Sequence, residues 1–324
     1  KGITDMAITT NAVNTFQINA GLKDDLSETI SNISPFDTPF LSSLAKSKAT
    51  STKMEWLKDA LDTPASTNKQ LEGENYTATA QNDMTRLDNM CQISAKAFAV
   101  SGTQNATDHA GMSTYSAYVL AKSGKALRTD QETSLFQNGA KATGNTTTAR
   151  ALAGVNSWIS ANTSKGTGGA DANGTGGNTR TDSSTANRRA LTEDMLKSVV
   201  KSVWDNGGDA TKIYCGSFNK QKISSAFTGG ATIQADAKDK TLHTSISVYE
   251  SDFGSLSITP ARHMRTRDLL VLDPSLWGLG VLRDYAVDKL AKISDSESYL
   301  LTTEYTLMCK NPVGNGGVFD LTDA

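Results

Sequence analysis

The sequence predicts an α+β chain with its strands concentrated late, and three observations carry that expectation. Residues 113–138 contain no proline and a single glycine, and Ala117, Leu120, Ala121, Leu127 and Leu135 form a loose apolar stripe, so a long helix closed by Asn138 and Gly139 is expected. Lys53-Met54-Glu55-Trp56-Leu57-Lys58 alternates as a strand does, and Leu87, Cys91, Ile93, Ala95 and Ala97 recur at even spacing in a second such stretch. After Thr192 a compact region opens whose later half is dominated by short apolar runs between turn residues.

Residues 1–21 are polar, rich in Thr and Asn, and read as an extended leader. Leu26, Ile30 and Ile33 then suggest a short helix, which Ser34 should end because a residue before proline is pushed out of helical space. Thr38 can cap a second helix with Pro39 at its first position, where a missing N–H costs nothing. This punctuation predicts a limb of fixed direction. Between the two strands lies a polar span, Asp62 to Thr85, with Pro64, Gly73 and few large apolar groups. An isolated hairpin is marginal in water, so this core-poor projection is expected to find support on another surface.

The predicted long helix has a narrow apolar face, suited to lying along a sheet. Leu152 to Ile159 supplies a small apolar patch around Trp158, and Ser164 to Asn187 is Gly, Thr, Ser, Asn and Asp almost throughout. That composition offers little apolar surface to bury and predicts a flexible loop between lobes, the most protease-sensitive interior segment. Thr192 can cap a helix with Glu193 and Asp194 in its first turn; Met195, Leu196, Val199, Val200, Val203 and Trp204 make its buried face, and Gly207-Gly208 ends it. Ala210 to Cys215 reads as a buried strand, and Ser217 opens another helix reaching about Phe227. Strands follow at Leu242–Tyr249, Leu256–Thr259, Leu269–Leu272 and Tyr299–Met308, with turns at Asp252-Phe253-Gly254 and Asp273-Pro274.

At 324 residues the chain is long enough for two or three lobes. A charged fraction of 20% and a net charge of −2 give no basic excess of the kind that marks sequence-specific DNA binding. Cys91, Cys215 and Cys309 are far apart and odd in number, outside any C-x-x-C spacing, which argues against a disulfide framework or zinc site and fits a reduced, cytosolic history. No apolar run approaches a membrane span, and no signal-peptide layout begins the sequence.

Catalytic chemistry is not indicated. His109, His243 and His263 are scattered, without spacing for paired metal ligands, and there is no G-x-S-x-G elbow. Lys165-Gly166-Thr167-Gly168-Gly169-Ala170-Asp171 puts its lysine before the glycines, the reverse of a phosphate-binding loop. Neither a cofactor nor a metal is expected.

Several ordered segments together resemble the major capsid proteins of tailed bacteriophages, in the SU-ten-like group built on the Hong Kong 97-type capsid fold. They are the Asp24-to-Leu44 arm with its Ser34-Pro35-Phe36-Asp37-Thr38-Pro39-Phe40 core; Lys53-Met54-Glu55-Trp56; Ala151-Leu152-Ala153-Gly154-Val155-Asn156-Ser157-Trp158; Val203-Trp204-Asp205-Asn206-Gly207-Gly208; Tyr249-Glu250-Ser251-Asp252-Phe253-Gly254; Val271-Leu272-Asp273-Pro274; and Thr303-Glu304-Tyr305-Thr306-Leu307. The resemblance implies an N-terminal arm (1–50), an extended β-hairpin loop (51–100), a peripheral domain (101–189) with spine helix 113–138 and Gly-rich loop 164–187, an axial domain (190–270), and return strands (271–324). It implies a non-enzymatic protein that self-assembles as hexamers and pentamers into an icosahedral shell around double-stranded DNA. Portal, scaffold and decoration proteins are the implied partners, the DNA is contacted non-specifically, no membrane is involved, and assembly takes place in the host cytoplasm. Pro35, Phe36, Asp37, Pro39, Phe40, Trp56, Lys69 and Glu72 are the implied assembly residues.

Some relatives of that fold weld subunits through a lysine–asparagine isopeptide bond. Lys69, with Asn311 or Asn315 as recipient and Glu72 or Glu74 as acid group, has the residue types but not the apolar surroundings that make a lysine nucleophilic, so no crosslink is expected. An encapsulin-like nanocompartment shell shares the fold, with cargo enzymes in place of DNA. A β-rich surface adhesin is suggested by the Thr, Asn and Gly content, and a hydrolase lacks a nucleophile constellation.

Overall fold

The computed structural model describes residues 36–75, 83–109, 111–112, 114–226, 235–236, 241–242, 246–292 and 294–323. The helix expected at Leu26 to Ile33, the leader before it, Pro35 and His243 lie outside the described residues. In chain order the first elements are α1 (Pro39–Ser43), β1 (Ala45–Lys48), β2 (Lys53–Lys58), β3 (Thr85–Met90), β4 (Gln92–Ser101), α2 (Gly102–Ala106), α3 (Tyr115–Phe136), β5 (Thr163–Ser164), α4 (Glu193–Asp205) and β6 (Lys212–Cys215). Then come α5 (Ser217–Ala226), β7 (Ala235–Asp236), β8 (Thr241–Leu242), β9 (Val248–Ser251), β10 (Gly254–Pro260), β11 (Leu269–Leu272), β12 (Trp277–Lys289), β13 (Ser296–Cys309) and β14 (Gly316–Val318).

Two sheets organise the body. The six-stranded sheet runs β5-β14-β11-β6-β10-β9 and separates two apolar clusters. Side chains alternate across a strand, so the four buried residues of β11 divide: Leu269 and Val271 join Leu196, Val199, Val200 and Val203 of α4, while Leu270 and Leu272 join Phe40, Phe136, Trp158 and Trp277. A strand with both faces covered needs apolar residues throughout, which is why Leu-Leu-Val-Leu reads unambiguously. The helix α4 carries Glu193 and Asp194 in its first turn and ends at Gly207, whose φ is +77°. Trp204, expected in its buried face, is 57% exposed and packs instead on Phe253, 5.2 Å between ring centres.

The four-stranded sheet runs β1-β12-β13-β4 and carries α3 on one face. One of its two long strands, β12, was not anticipated. Gly278 and Gly280 lower strand propensity, yet a Cβ at Gly280 would overlap Met54 of β2, so the glycine is what allows β2 to lie against the sheet. The even spacing expected from Leu87 to Ala97 as one strand is broken at Cys91. Leu87 of β3 is buried, but past Cys91 the face that carries Ile93, Ala95 and Ala97 is exposed. Ser94 and Lys96 lie on the α3 side, where Lys96 pairs with Asp130 at 2.7 Å. The sheet partner of β4 is β13, from Gln92 opposite Tyr305 to Ser101 opposite Ser296.

The expected stripe of α3 is buried only toward its C-terminal end, through Leu127, Gln131, Glu132, Leu135 and Phe136. The Gly-rich span also departs from expectation. Residues 164–187 are packed against the body, with Ala170 and Thr181 bonded in both directions and Arg180 only 2% exposed. No helix among the described residues is long and apolar enough to cross a membrane.

Candidate assembly surfaces

The start of the described chain is tied to α3. Thr38 occupies the N-cap of α1 but makes no side-chain cap bond. The work falls to Glu132 of α3: its Oε1 accepts the Phe40 N–H at 3.0 Å and its Oε2 the Leu41 N–H at 2.7 Å. These are two of the amides that the first turn of a helix leaves without a partner. Burial raises the Glu132 pKa, and the two amides pull it partway back. Phe40 is 1% exposed and packs on Phe136, Tyr214 and Trp277, so it belongs to its own subunit's core. Phe36 remains 55% exposed with the Lys125 ammonium 4.9 Å from its ring centre, Asp37 reaches Arg262 at 3.6 Å, and Pro39 opens α1.

The projection is firmly rooted and unsupported beyond its root. β2 and β3 pair antiparallel from Lys53 opposite Met90 to Lys58 opposite Thr85. At the base, Trp56 donates its indole N–H to the Cys309 carbonyl at 2.8 Å and lies 5.5 Å from Trp158, while Asn89, fully buried, donates to the Leu307 carbonyl at 2.7 Å. Trp56 is therefore an anchor and not a contact surface. Farther out, Leu57, Leu61, Leu71 and Met84 are 60%, 98%, 73% and 62% exposed. Lys69 and Glu72 are exposed in the same stretch. Together they are the large apolar side chains that the projection leaves in water.

A buried ionic cluster, which sequence reasoning missed, holds the Gly-rich span. Asp320 has no exposed surface and a left-handed backbone, φ 59°. Its carboxylate accepts the amides of Gly166 at 3.1 Å and Ser183 at 2.9 Å and pairs with Arg267 at 2.8 Å. Burial alone would raise its pKa, but those amides and Arg180 outweigh it and hold the group below the usual range. Arg180 lies 3.6 Å over the Phe319 ring and within 3.8 Å of Asp320, 3.4 Å of Asp171 and 3.9 Å of Asp182. Arg265 pairs with Asp182 and, at 3.2 Å, with Asp268. Asp268 is 1% exposed, and burial pushes its pKa up to about 6. The only sequence trace of this cluster is the recurrence of Arg and Asp at 171, 180, 182, 265, 267, 268 and 320.

The Gly166 amide is thus occupied by the chain's own carboxylate, and Lys165 pairs with Asp171. Asn315 has no exposed surface: its carbonyl oxygen accepts from Trp277 Nε1 at 2.8 Å and from the Asp273 amide at 3.1 Å, and its amide donates to the Asn311 carbonyl. A lysine from another copy has no path to it. Asn311 spends its side-chain oxygen on the Val313 amide. Among the described residues no three His, Cys, Asp or Glu side chains are grouped to hold a metal, and the thiols of Cys91, Cys215 and Cys309 are buried, which raises the pKa of each.

A folded body with a rooted, apolar-tipped projection defines a structural subunit that works through its surfaces. The profile of the SU10 major capsid protein family matches residues 7–322, and the chain belongs to that family: it is a structural protein of the phage virion and not an enzyme. The major capsid protein of Escherichia phage Phieco32 is 32% identical over 121 residues, which are 37% of this chain and 34% of that protein, so the match spans about a third of that relative's length. The fold is shared over nearly the whole chain with solved phage structures. In a cyanophage A-1(L) capsid asymmetric unit, 96% of this chain and 100% of that one align at a TM-score of 0.66 and 11% identity. For Microbacterium phage Oxtober96 the figures are 96%, 99%, 0.62 and 14%. For a Phage G structure of major capsid proteins and decoration proteins they are 98%, 100%, 0.56 and 8%.

Proposed function

We propose that copies of this chain pack as hexamers and pentamers into a closed icosahedral shell around the double-stranded DNA of a tailed phage, on the Hong Kong 97-type plan. The observation that carries the reading is the β2–β3 projection, fixed at Trp56 and Asn89 and presenting Leu61, Leu71 and Met84 to another copy. Closed symmetry lets one such contact serve every subunit.

In this reading residues 1–50 form the arm, and the extended loop assigned to 51–100 is the projection through Met90, since β4 already pairs within the sheet of β12 and β13. The peripheral domain is that sheet with α3; the axial domain, 190–270, is the α4–α5 lobe; 271–324 return through both sheets. Phe36, Asp37, Lys69 and Glu72 are the described assembly candidates that remain on the surface. Portal and scaffold proteins direct assembly in the host cytoplasm, and a decoration protein, as in the Phage G structure, reinforces the shell.

Negative-stain imaging of the expressed chain tests this: shells, tubes or capsomer sheets are expected, and a stable monomer at high concentration with scaffold supplied would overturn it. Boiled particles should run as a single band near 34.4 kDa, because cohesion is non-covalent.

A further inference from the structure

The sequence contains four Asn-Gly pairs, at 138–139, 173–174, 206–207 and 315–316. Such a pair can modify itself, because a glycine carries no Cβ to hinder its own amide and that nitrogen can reach the asparagine Cγ to close a five-membered ring. Three of the four pairs are held against this. Asn138 exchanges two bonds with the Arg180 backbone, donating to its carbonyl at 2.8 Å and accepting its N–H at 2.9 Å. Asn206 donates to Asn162 Oδ1 at 2.6 Å and to the Ser202 carbonyl at 2.9 Å, and the Gly207 N–H is engaged by the Trp204 carbonyl at 2.9 Å. Asn315 is fully buried, with its side-chain oxygen and nitrogen both bonded. Asn173 differs. It is exposed, its Nδ2 donates to no acceptor among the described residues, and neither does the Gly174 N–H. Its Oδ1 accepts the Thr175 N–H at 3.0 Å. Gly174 cannot be exchanged freely: its φ is +72°, and an added Cβ would overlap Ser160.

We propose that Asn173-Gly174 is a self-modification site, at which the folded chain converts Asn173 to aspartate and isoaspartate. The Gly174 nitrogen, deprotonated by hydroxide, attacks Asn173 Cγ; the N–Cγ bond forms, the Cγ–Nδ2 bond breaks, and the side-chain amide leaves as ammonia with a proton from water, which returns the hydroxide. A water molecule then opens the succinimide at either carbonyl, so one water is consumed and one ammonia released. The Thr175 N–H already donates to Oδ1, the oxygen that gains negative charge during the attack. The product places a negative charge two positions from Asp171. Its isoaspartyl form also adds a methylene to the backbone of the span that packs Gly176 on Trp158. A packing requirement for glycine at 174 keeps the reactive pair in place. The chain is a structural part of a virion, which makes no protein of its own, so the change accumulates with the age of the particle.

The test is prolonged incubation of the purified full chain at mildly alkaline pH, native and unfolded in guanidinium chloride, with peptide mass spectrometry locating each amide-to-acid exchange. In the native chain Asn173 should convert several-fold faster than Asn138, Asn206 or Asn315, and in the unfolded chain the four rates should converge. Faster native conversion at Asn206, the other exposed pair, would overturn the proposal. So would the same ranking in native and unfolded chains, which would show that the fold does not choose the site. Isoaspartate should appear at 173 beside aspartate; aspartate alone would mean direct hydrolysis with no attack by Gly174. As an independent readout, Asn173→Gln should abolish the acidic form of the aged native chain on isoelectric focusing. Persistence of that form would place the modification elsewhere.

Discussion

Residues 59–84 and 164–187 look alike as sequence, both polar and poor in large apolar side chains, yet the first is exposed throughout its described part and the second is woven into the body. The difference lies in what each segment meets. The projection rises from a base of Trp56 and Asn89, and beyond that base its described residues 59–75, 83 and 84 are all exposed. The Gly-rich span wraps Asp320 and Arg180, whose buried charges collect its amides and carboxylates. Poverty in apolar residues therefore excludes a hydrophobic core but not a polar one.

The sharpest way to break this comparison is at Arg180. Arg180→Met leaves Asp320, Asp171 and Asp182 with less compensation in a dry site, and removing one partner of a buried ion pair costs about 3–5 kcal/mol. Denaturant unfolding of the subunit should show that loss together with new protease cuts within 164–187. Preserved stability would mean the cluster does not hold the span.

Asp268 tests the same cluster by pH. Its folded pKa, about 6, stands above the ordinary 3.8, so its protonated form is favoured in the folded state. The stability it contributes is full below about 3.8 and is lost as pH rises through about 6. Relative to Asp268→Asn, the parent chain should lose roughly 3 kcal/mol between pH 4 and 7, about two pKa units at 1.36 kcal/mol each. Parallel stability curves for the two proteins would show that Asp268 does not titrate across that window.

Gly280→Ala probes the root of the projection. The added methyl meets Met54, and overpacking of this kind costs typically 1–3 kcal/mol. Thermal melts should report it, and Met54→Ala should restore part of the loss.

The smallest expected effect on folding belongs to the projection's tip. Replacing 62–84 by a short Gly/Ser turn should change subunit stability by no more than ~0.5 kcal/mol, while shells fail to form. Limited proteolysis of the parent subunit should cut first within 59–75, not 164–187. First cuts in the Gly-rich span would reverse the comparison.

Much of the fold was legible because burial leaves a periodic trace. β2 and β11 fall where alternation and a continuous apolar run place them, and α4 spans its predicted caps. β12 and β14 left weaker traces, since Gly278, Gly280, Gly316 and Gly317 are chosen for close backbone approach and carry no side chain to reveal a period. The face of β4 was misread because one unpaired residue, Cys91, shifts the alternation by a single step. Among the candidate surfaces, the projection was visible as a break in apolar content. The sites of Phe40 and Trp56 were not, because an aromatic side chain serves a core and a contact equally well. The ionic cluster was invisible, its members lying as far apart as Asp171 and Asp320.

The grip of Glu132 on α1 sets an order of events in the newly made chain. A helix of five residues cannot nucleate by itself, and here its opening amides wait for a carboxylate 91 and 92 positions further along. Until α3 has docked, the Phe40 and Leu41 amides lack the carboxylate that holds them. The turn that opens the described chain is thus seated only by a completed body, so α1 stands first in order along the described residues and among the last to form.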